Sequence, residues 1–162
     1  MERLTIVKVG GKVVEEKESL DQLLNHFSQI RGKRILVHGG GRLATTLSEK
    51  LGIETKMVDG RRITDEATLE VVTMVYAGLV NKNIVAGLQA RGCNSIGLTG
   101  ADLNVIKAKK RPVKDIDYGF VGDILGVNTS ELRLLLNEEV VPVMAPITHD
   151  TYGQLLNTNA DT

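Results

Sequence analysis

The sequence predicts an α/β fold: a three-layer α/β/α sandwich with a mainly parallel open sheet and a β-hairpin lid. Three observations predict it. Short β-branched runs alternate with segments of helical periodicity, glycine turns close the first two runs, and a charged stretch containing Pro112 is flanked by two strand-like stretches.

Leu4 to Val9 is an apolar, β-branched run ending at Gly10-Gly11, which reads as a buried strand followed by a tight turn. The period then changes. Leu20, Leu23, Leu24, Phe27 and Ile30 recur three or four residues apart, a helical stripe that Gly32 is placed to end. Arg34 to Val37 is a second strand, and after His38-Gly39-Gly40-Gly41 the positions Leu43, Leu47 and Leu51 give another helical face, stopped by Gly52. Val58 to Thr64 has turn chemistry. Thr64-Asp65-Glu66 starts a long helix, with the Thr64 hydroxyl as cap and acidic residues at the positive dipole end. That helix is predicted to run to Gly92 with a bend near Gly78, followed by a strand over Ser95 to Leu98 and a turn at Thr99-Gly100. Val105 to Ile124, around the charged stretch Lys107 to Asp117, suggests an antiparallel hairpin or flap. Asn128 or Thr129 caps a helix through Asn137, and strands follow at Val140 to Ala145 and Gln154 to Asn157.

At 162 residues the chain fits one domain with a substantial core, and no repeat or linker divides it. Hydrophobic residues make up 42% and charged residues 25%, which excludes disordered and fibrous classes. Lys plus Arg equals Asp plus Glu at 20 each, so no global charge attracts nucleic acid or an anionic membrane, and neither partner is expected. The one cysteine, Cys93, excludes an internal disulfide framework and a four-cysteine zinc site, and its surroundings show no base or positive group that would activate it. Three dispersed histidines make no metal site: His26 reads as surface or boundary, His149 as a loop residue and His38 as a hydrogen-bonded strand end. With no signal-like start and no membrane-helix run seen, the expected location is the cytoplasm. Seventeen glycines and five aromatic residues favour recognition through backbone amides over base stacking.

Lys8, two residues before Gly10, could face one anion together with the glycine amides, an arrangement suited to phosphoryl transfer. A surface lysine before a turn has the same local sequence. The three glycines after His38 open a helix where free amides and the dipole can hold an anion, though a tight structural turn also accounts for them. Neither dinucleotide nor P-loop glycine spacing occurs. Adjacent parallel strands would bring the two glycine turns to one sheet edge. Arg61-Arg62 could grip a carboxylate or simply be solvated. Asn157, Asn159 and Asp161 alternate, so an extended strand would point them to one face. Lys109-Lys110-Arg111 reads as a solvated flap.

With these residues in place, the sequence resembles the amino acid kinase family, and within it the acetylglutamate kinases. The resemblance spans essentially the whole chain. Lys8-Val9-Gly10-Gly11, Val37-His38-Gly39-Gly40-Gly41, Gly60-Arg61-Arg62-Ile63-Thr64, Gly119-Phe120-Val121-Gly122-Asp123 and Leu156-Asn157-Thr158-Asn159-Ala160-Asp161 occur in the family's order. What it implies is attack by the γ-carboxylate of N-acetyl-L-glutamate on the γ-phosphate of MgATP, a step of arginine biosynthesis, with ATP and Mg2+ as co-substrate and no tightly bound cofactor. Lys8 would stabilise charge on the transferring phosphoryl group, helped by Gly11 and the Gly40 amide. Gly40 and Gly41 would contact the substrate near its reacting carboxylate, and Arg62 and Asn157 would bind its α-carboxylate. Asp161 would organise catalytic lysines, with weaker help from Asn159, and the hairpin through Val121-Gly122 would be the lid. The Asp65 to Gly92 helix would form a homodimer. By the same resemblance, residues 1–162 are the substrate-binding amino-terminal half; the nucleotide-binding half and a second catalytic lysine are absent, and these residues alone are expected to be inactive. The extra amino-terminal helix of arginine-sensitive hexamers is also missing, implying a dimer without arginine feedback.

Other readings differ in chemistry. Carbamate kinase, aspartokinase and glutamate 5-kinase belong to the same family, but the His38 to Gly41 loop with Arg62 and Asn157 favours the acetylglutamate member. N-succinylglutamate would change only the acyl pocket. A noncatalytic acyl-amino-acid-binding and dimerisation module is the remaining class, against which stand Lys8 and Asp161.

Overall fold

A computed structural model describes residues 3–162. β1 (Leu4–Val9) and β2 (Lys33–His38) run parallel, with Val9 opposite His38. β5 (Ser95–Leu98) and β8 (Val141–Met144) complete a four-stranded sheet of order β1-β2-β8-β5 in which every pairing is parallel. Side chains on a strand alternate between faces, and here each face has its own core. Leu36 and Val143 meet one cluster with Phe27, Val72, Ile84 and Leu88, while Ile35 and Met144 meet the other with Leu98 and Leu136. Helices therefore cover both faces, and the predicted three layers follow.

On the first face lie α1 (Gly11–Glu15), α2 (Lys17–Ser28), α3 (Gly41–Lys50) and α4 (Glu66–Gln89). The second is covered by α5 (Thr129–Asn137) through Leu136. No sequence signal marks α1, because five residues are too few to show a period. α3 turns Leu43 and Leu47 toward the core, but Leu51 lies beyond its end and is exposed.

Two expectations about α4 change. Its cap is Asp65, whose carboxylate accepts the Thr68 N–H at 2.8 Å. Thr64 is instead fully buried, donating its hydroxyl to Arg62 O at 3.2 Å and accepting from Asn157 Nδ2 at 3.0 Å. In place of a bend at Gly78 there is a π-helical segment, Thr73–Val80. By length and hydropathy α4 could cross a membrane, yet Val71, Val72, Val75, Ile84 and Leu88 are packed in the core. It is a core helix.

β3 (Met57–Val58) and β4 (Arg61–Arg62) make a small hairpin where turn chemistry was expected. Asp59 and Gly60, both at positive φ, close it. The predicted flap is the antiparallel pair β6 (Ile106–Lys110) and β7 (Gly122–Val127), which joins β9 (Ile147–His149) and β10 (Leu155–Asn157) in a second sheet of order β10-β9-β6-β7. β9 was not anticipated, since Pro146 separates a three-residue strand from the longer apolar run. His149 is therefore a strand residue, its Nε2 2.9 Å from Asn104 Oδ1.

Candidate active site

The register of β1 on β2 sets both glycine turns side by side at the carboxyl ends of the two strands, where ligands sit in open α/β sheets. Gly39 N–H donates to Val9 O at 3.0 Å and ties the turns together. A Cβ placed on Gly11 would stand 3.5 Å from Gly41 N and 3.6 Å from Gly40 N, so these amides face Gly11 across the gap. Here a cleft of about 330 Å³ opens, lined by Lys8, both glycine turns, Arg62 and the segment from Asn157 to Thr162.

Gly40 has φ +156°, a backbone conformation that residues with a side chain rarely adopt. An added Cβ would lie 3.0 Å from the Tyr76 ring and 3.3 Å from Val80, both in the π-helical segment of α4. Burial pushes the Tyr76 phenol's pKa up, with the Arg62 charge opposing, so Tyr76 stays a neutral wall. Glu15, at the end of α1, accepts the Leu43 N–H at 3.0 Å and so caps α3 from outside that helix. Neither Glu15 nor Tyr76 was singled out from sequence. Tyr76 sits in an apolar helical stripe, and Glu15 in a helix too short to show one.

Lys8 and Asp161 form an ion pair of 2.5 Å, with side chains 37% and 66% exposed. Asn157, Asn159 and Asp161 all reach the cleft, but not along a strand as the alternation suggested. β10 ends at Asn157, and Asp161 N–H turns back to Asn159 Oδ1 at 3.0 Å. Asn157 is held from both sides, its N–H on Phe120 O at 2.8 Å and its side-chain amide on Thr64.

Of the two adjacent arginines only Arg62 is buried, 8% exposed. Its Nη2 donates to Gly41 O at 2.8 Å and Thr45 Oγ1 at 2.9 Å, and its Nη1 to Thr55 Oγ1 at 3.3 Å. The guanidinium is thus fixed at the start of α3. Arg111 is not the solvated flap residue it was expected to be. It donates twice to Asp123 Oδ1, at 2.9 and 2.7 Å, lies over Tyr118, and reaches the cleft, while its Nη1 is buried with no partner among the described residues. Cys93 likewise has a positive neighbour the sequence did not reveal, Arg34 Nη2 at 3.3 Å from its sulfur, and it is buried. His26 is exposed and His38 fully buried.

An ammonium, a guanidinium and three clustered backbone amides around one cleft suit a ligand with more than one negative charge. Residues 3–162 match the amino acid kinase family over that whole span. The chain belongs to the amino acid kinase family.

Among other members, it is 68% identical over 161 residues to the acetylglutamate kinase of Phocaeicola vulgatus, covering 99% of this chain and 63% of that relative. Against the acetylglutamate kinase of Methanopyrus kandleri the identity is 41% over 163 residues, covering 98% and 63%. This member of the amino acid kinase family thus spans less than two thirds of the curated relatives it matches. A solved structure from Streptococcus mutans superposes with a TM-score of 0.84 at 27% identity, covering 99% of this chain and 65% of that one. The Neisseria gonorrhoeae N-acetylglutamate synthase complexed with coenzyme A and N-acetyl-glutamate gives 0.81 at 24% identity, over 97% and 36%, which shows shared fold alone.

Proposed function

We propose that this chain supplies the acyl-amino-acid site of an acetylglutamate kinase. The cleft holds N-acetyl-L-glutamate with its γ-carboxylate in line with the γ-phosphate of MgATP. As the carboxylate oxygen bonds to the γ-phosphorus, the bond to the bridging oxygen breaks, giving an acyl phosphate and ADP. A glutamate side chain, with a pKa of about 4.3, is already ionised at neutral pH, so no general base is needed. Catalysis then consists of placing two anions together and neutralising the charge that spreads over the phosphoryl oxygens.

In this reading Lys8, held by Asp161, and the amides of Gly11 and Gly40 meet the phosphoryl group. Gly40 and Gly41 lie near the reacting carboxylate, while Arg62 and Asn157 take the α-carboxylate. The observation that carries the reading is the convergence of Lys8, the two glycine turns, Arg62 and Asn157 on one cleft. The 68% identity to a named acetylglutamate kinase supports the choice of substrate. Nucleotide recognition is assigned to the part of those relatives that these residues do not match. Exposed Met74 and Leu79 on α4 and exposed Ile96 on the edge strand β5 are apolar surface that supports a homodimer through that helix. A cytoplasmic location fits work on a biosynthetic metabolite with ATP.

Calorimetric titration of the purified chain with N-acetyl-L-glutamate tests the site. Binding by the wild-type chain that is lost in Arg62→Ala supports it, and no binding by a folded wild-type chain overturns it. N-succinylglutamate is a second reading, favoured by Arg111, a further cation that lines the cleft beside Lys8 and Arg62. Competition between the two acylglutamates decides between them.

A further inference from the structure

Behind the second glycine turn lies a row of polar groups that the proposed chemistry does not use. Lys82 Nζ donates to Asn81 Oδ1 at 3.0 Å, and Asn81 Nδ2 lies 3.1 Å from His38 Nε2. On the other side of the ring, His38 Nδ1 lies 2.8 Å from Gly39 O. His38 and Asn81 are buried to within 1% of full burial.

Elementary hydrogen-bond rules fix every proton in this row. A carbonyl only accepts, so His38 Nδ1 carries the hydrogen. Asn81 Nδ2 also donates to Val143 O at 3.0 Å, and its oxygen faces the Lys82 ammonium, so its amide cannot be flipped without setting oxygen against oxygen. His38 Nε2 is then the acceptor, and the ring is neutral. Each donor points the same way, from Lys82 through Asn81 and His38 to the Gly39 carbonyl. The Gly39–Gly40 peptide is trans, so its N–H points opposite its C=O. With the carbonyl clamped inward, the Gly40 N–H faces the cleft, where Gly40 N and Gly41 N stand beside Gly11.

We propose that His38 and Asn81 are positioning residues that aim the Gly40 N–H at the bound anion, and that Lys82 polarises it through this one-way chain. The inference rests on the reading of the cleft as an anion site. Lys82 is exposed, but Asn81 and His38 are buried, and aligned hydrogen bonds strengthen one another most where water is excluded, so a peptide whose carbonyl is pulled by this chain offers a stronger amide donor. Two further features fit. Asn81 directly follows the π-helical segment, a widened turn of a kind frequently found at functional sites. Gly97 leaves the room that the chain needs, since a Cβ there would come within 1.8 Å of Asn81 Oδ1 and 2.6 Å of Lys82 Nζ.

The test has two parts. Long-range 1H–15N NMR of the wild-type chain reads the His38 tautomer directly. The proposal requires hydrogen on Nδ1 and none on Nε2, and the opposite tautomer overturns it whether or not any variant folds. Calorimetry with N-acetyl-L-glutamate then compares two amide variants of different reach. His38→Asn keeps an N–H near the Nδ1 position and retains affinity to within about threefold, whereas His38→Gln loses the Gly39 clamp and about tenfold or more. Equal losses in the two variants mean a merely structural histidine and overturn the proposal. Because the tautomer needs no ligand, a wild-type chain that fails to bind N-acetyl-L-glutamate overturns the substrate reading and leaves this inference to be decided by the NMR result.

Discussion

Lys8 Nζ lies 2.5 Å from Asp161 Oδ1, joining the carboxyl end of the first strand to the turn that follows the last. Both groups are substantially exposed, and exposed ion pairs contribute little to stability. Asp161→Asn is therefore expected to change the unfolding free energy by less than about 1 kcal/mol, measured by urea titration. A larger loss would make the pair a structural clasp, contrary to its proposed place in catalysis.

Arg62 is the opposite case, because its side chain is buried and its three hydrogen bonds are partly shielded from water. Removing the side chain in Arg62→Ala leaves Gly41 O, Thr45 and Thr55 without their donor, at a cost of about 1–3 kcal/mol in the same titration. Lys is not expected to restore this, since a single ammonium cannot replace a planar fork meeting three oxygens in fixed directions. Wild-type stability in Arg62→Lys would refute that account.

Gly119 has φ +73°, and a Cβ there would come within 2.2 Å of Thr64 O. The obstacle is backbone, so it cannot rotate aside. Gly119→Ala should cost about 2–4 kcal/mol and loosen the bridge that carries Asn157 toward Thr64, visible as a lowered urea midpoint.

Asp65 caps α4 through the Thr68 N–H, and bonds from Thr68, more than any nearby charge, hold its carboxyl below the usual carboxylate range. Asp65→Ala should cost about 1 kcal/mol, and Asp65→Asn much less because the amide oxygen can still accept. A group whose folded pKa is lowered stabilises above its unfolded value and loses that contribution as pH falls through the folded one. The difference between the wild-type and Asp65→Ala chains should therefore shrink in acid, below about pH 3.9.

For His38, burial pushes the pKa down, the bond to Gly39 O opposes it, and the Lys82 charge adds to the lowering. The unfolded chain takes up a proton below about pH 6.5, where the folded chain still resists. Stability should fall as pH drops from about 6.5 toward the folded value and be flat above it. The measurement compares urea midpoints of the wild-type chain with His38→Asn across this range. Identical slopes would show that His38 does not report on acid.

Much of the fold was legible. The runs at Leu4, Arg34, Ser95 and Val140 became the parallel sheet because β-branched stretches bounded by glycine or polar turns have few other stable arrangements. The elements missed were short ones, α1, β3, β4 and β9, which carry too few residues for either period to show. At the cleft, Lys8, Gly11, Gly40, Gly41, Arg62, Asn157 and Asp161 were all singled out, and all of them line it. The route differed for the last segment, where a turn after Asn157 does what an extended strand was expected to do. Arg111 was misjudged because its partner, Asp123, lies across the hairpin, and charge runs alone do not show which cation folds inward.

The sequence by itself determined which segments are strands and helices, where the glycine turns fall and which family the chain resembles, since these rest on local periodicity and motif order. Only the tertiary structure decided what lies behind and beside those motifs. Asn81 under His38, Tyr76 against Gly40, Glu15 on Leu43 and the protons along the Lys82 chain depend on distances between residues far apart in sequence. Packing fixes such distances, because a buried polar group must find its partner wherever the fold brings one.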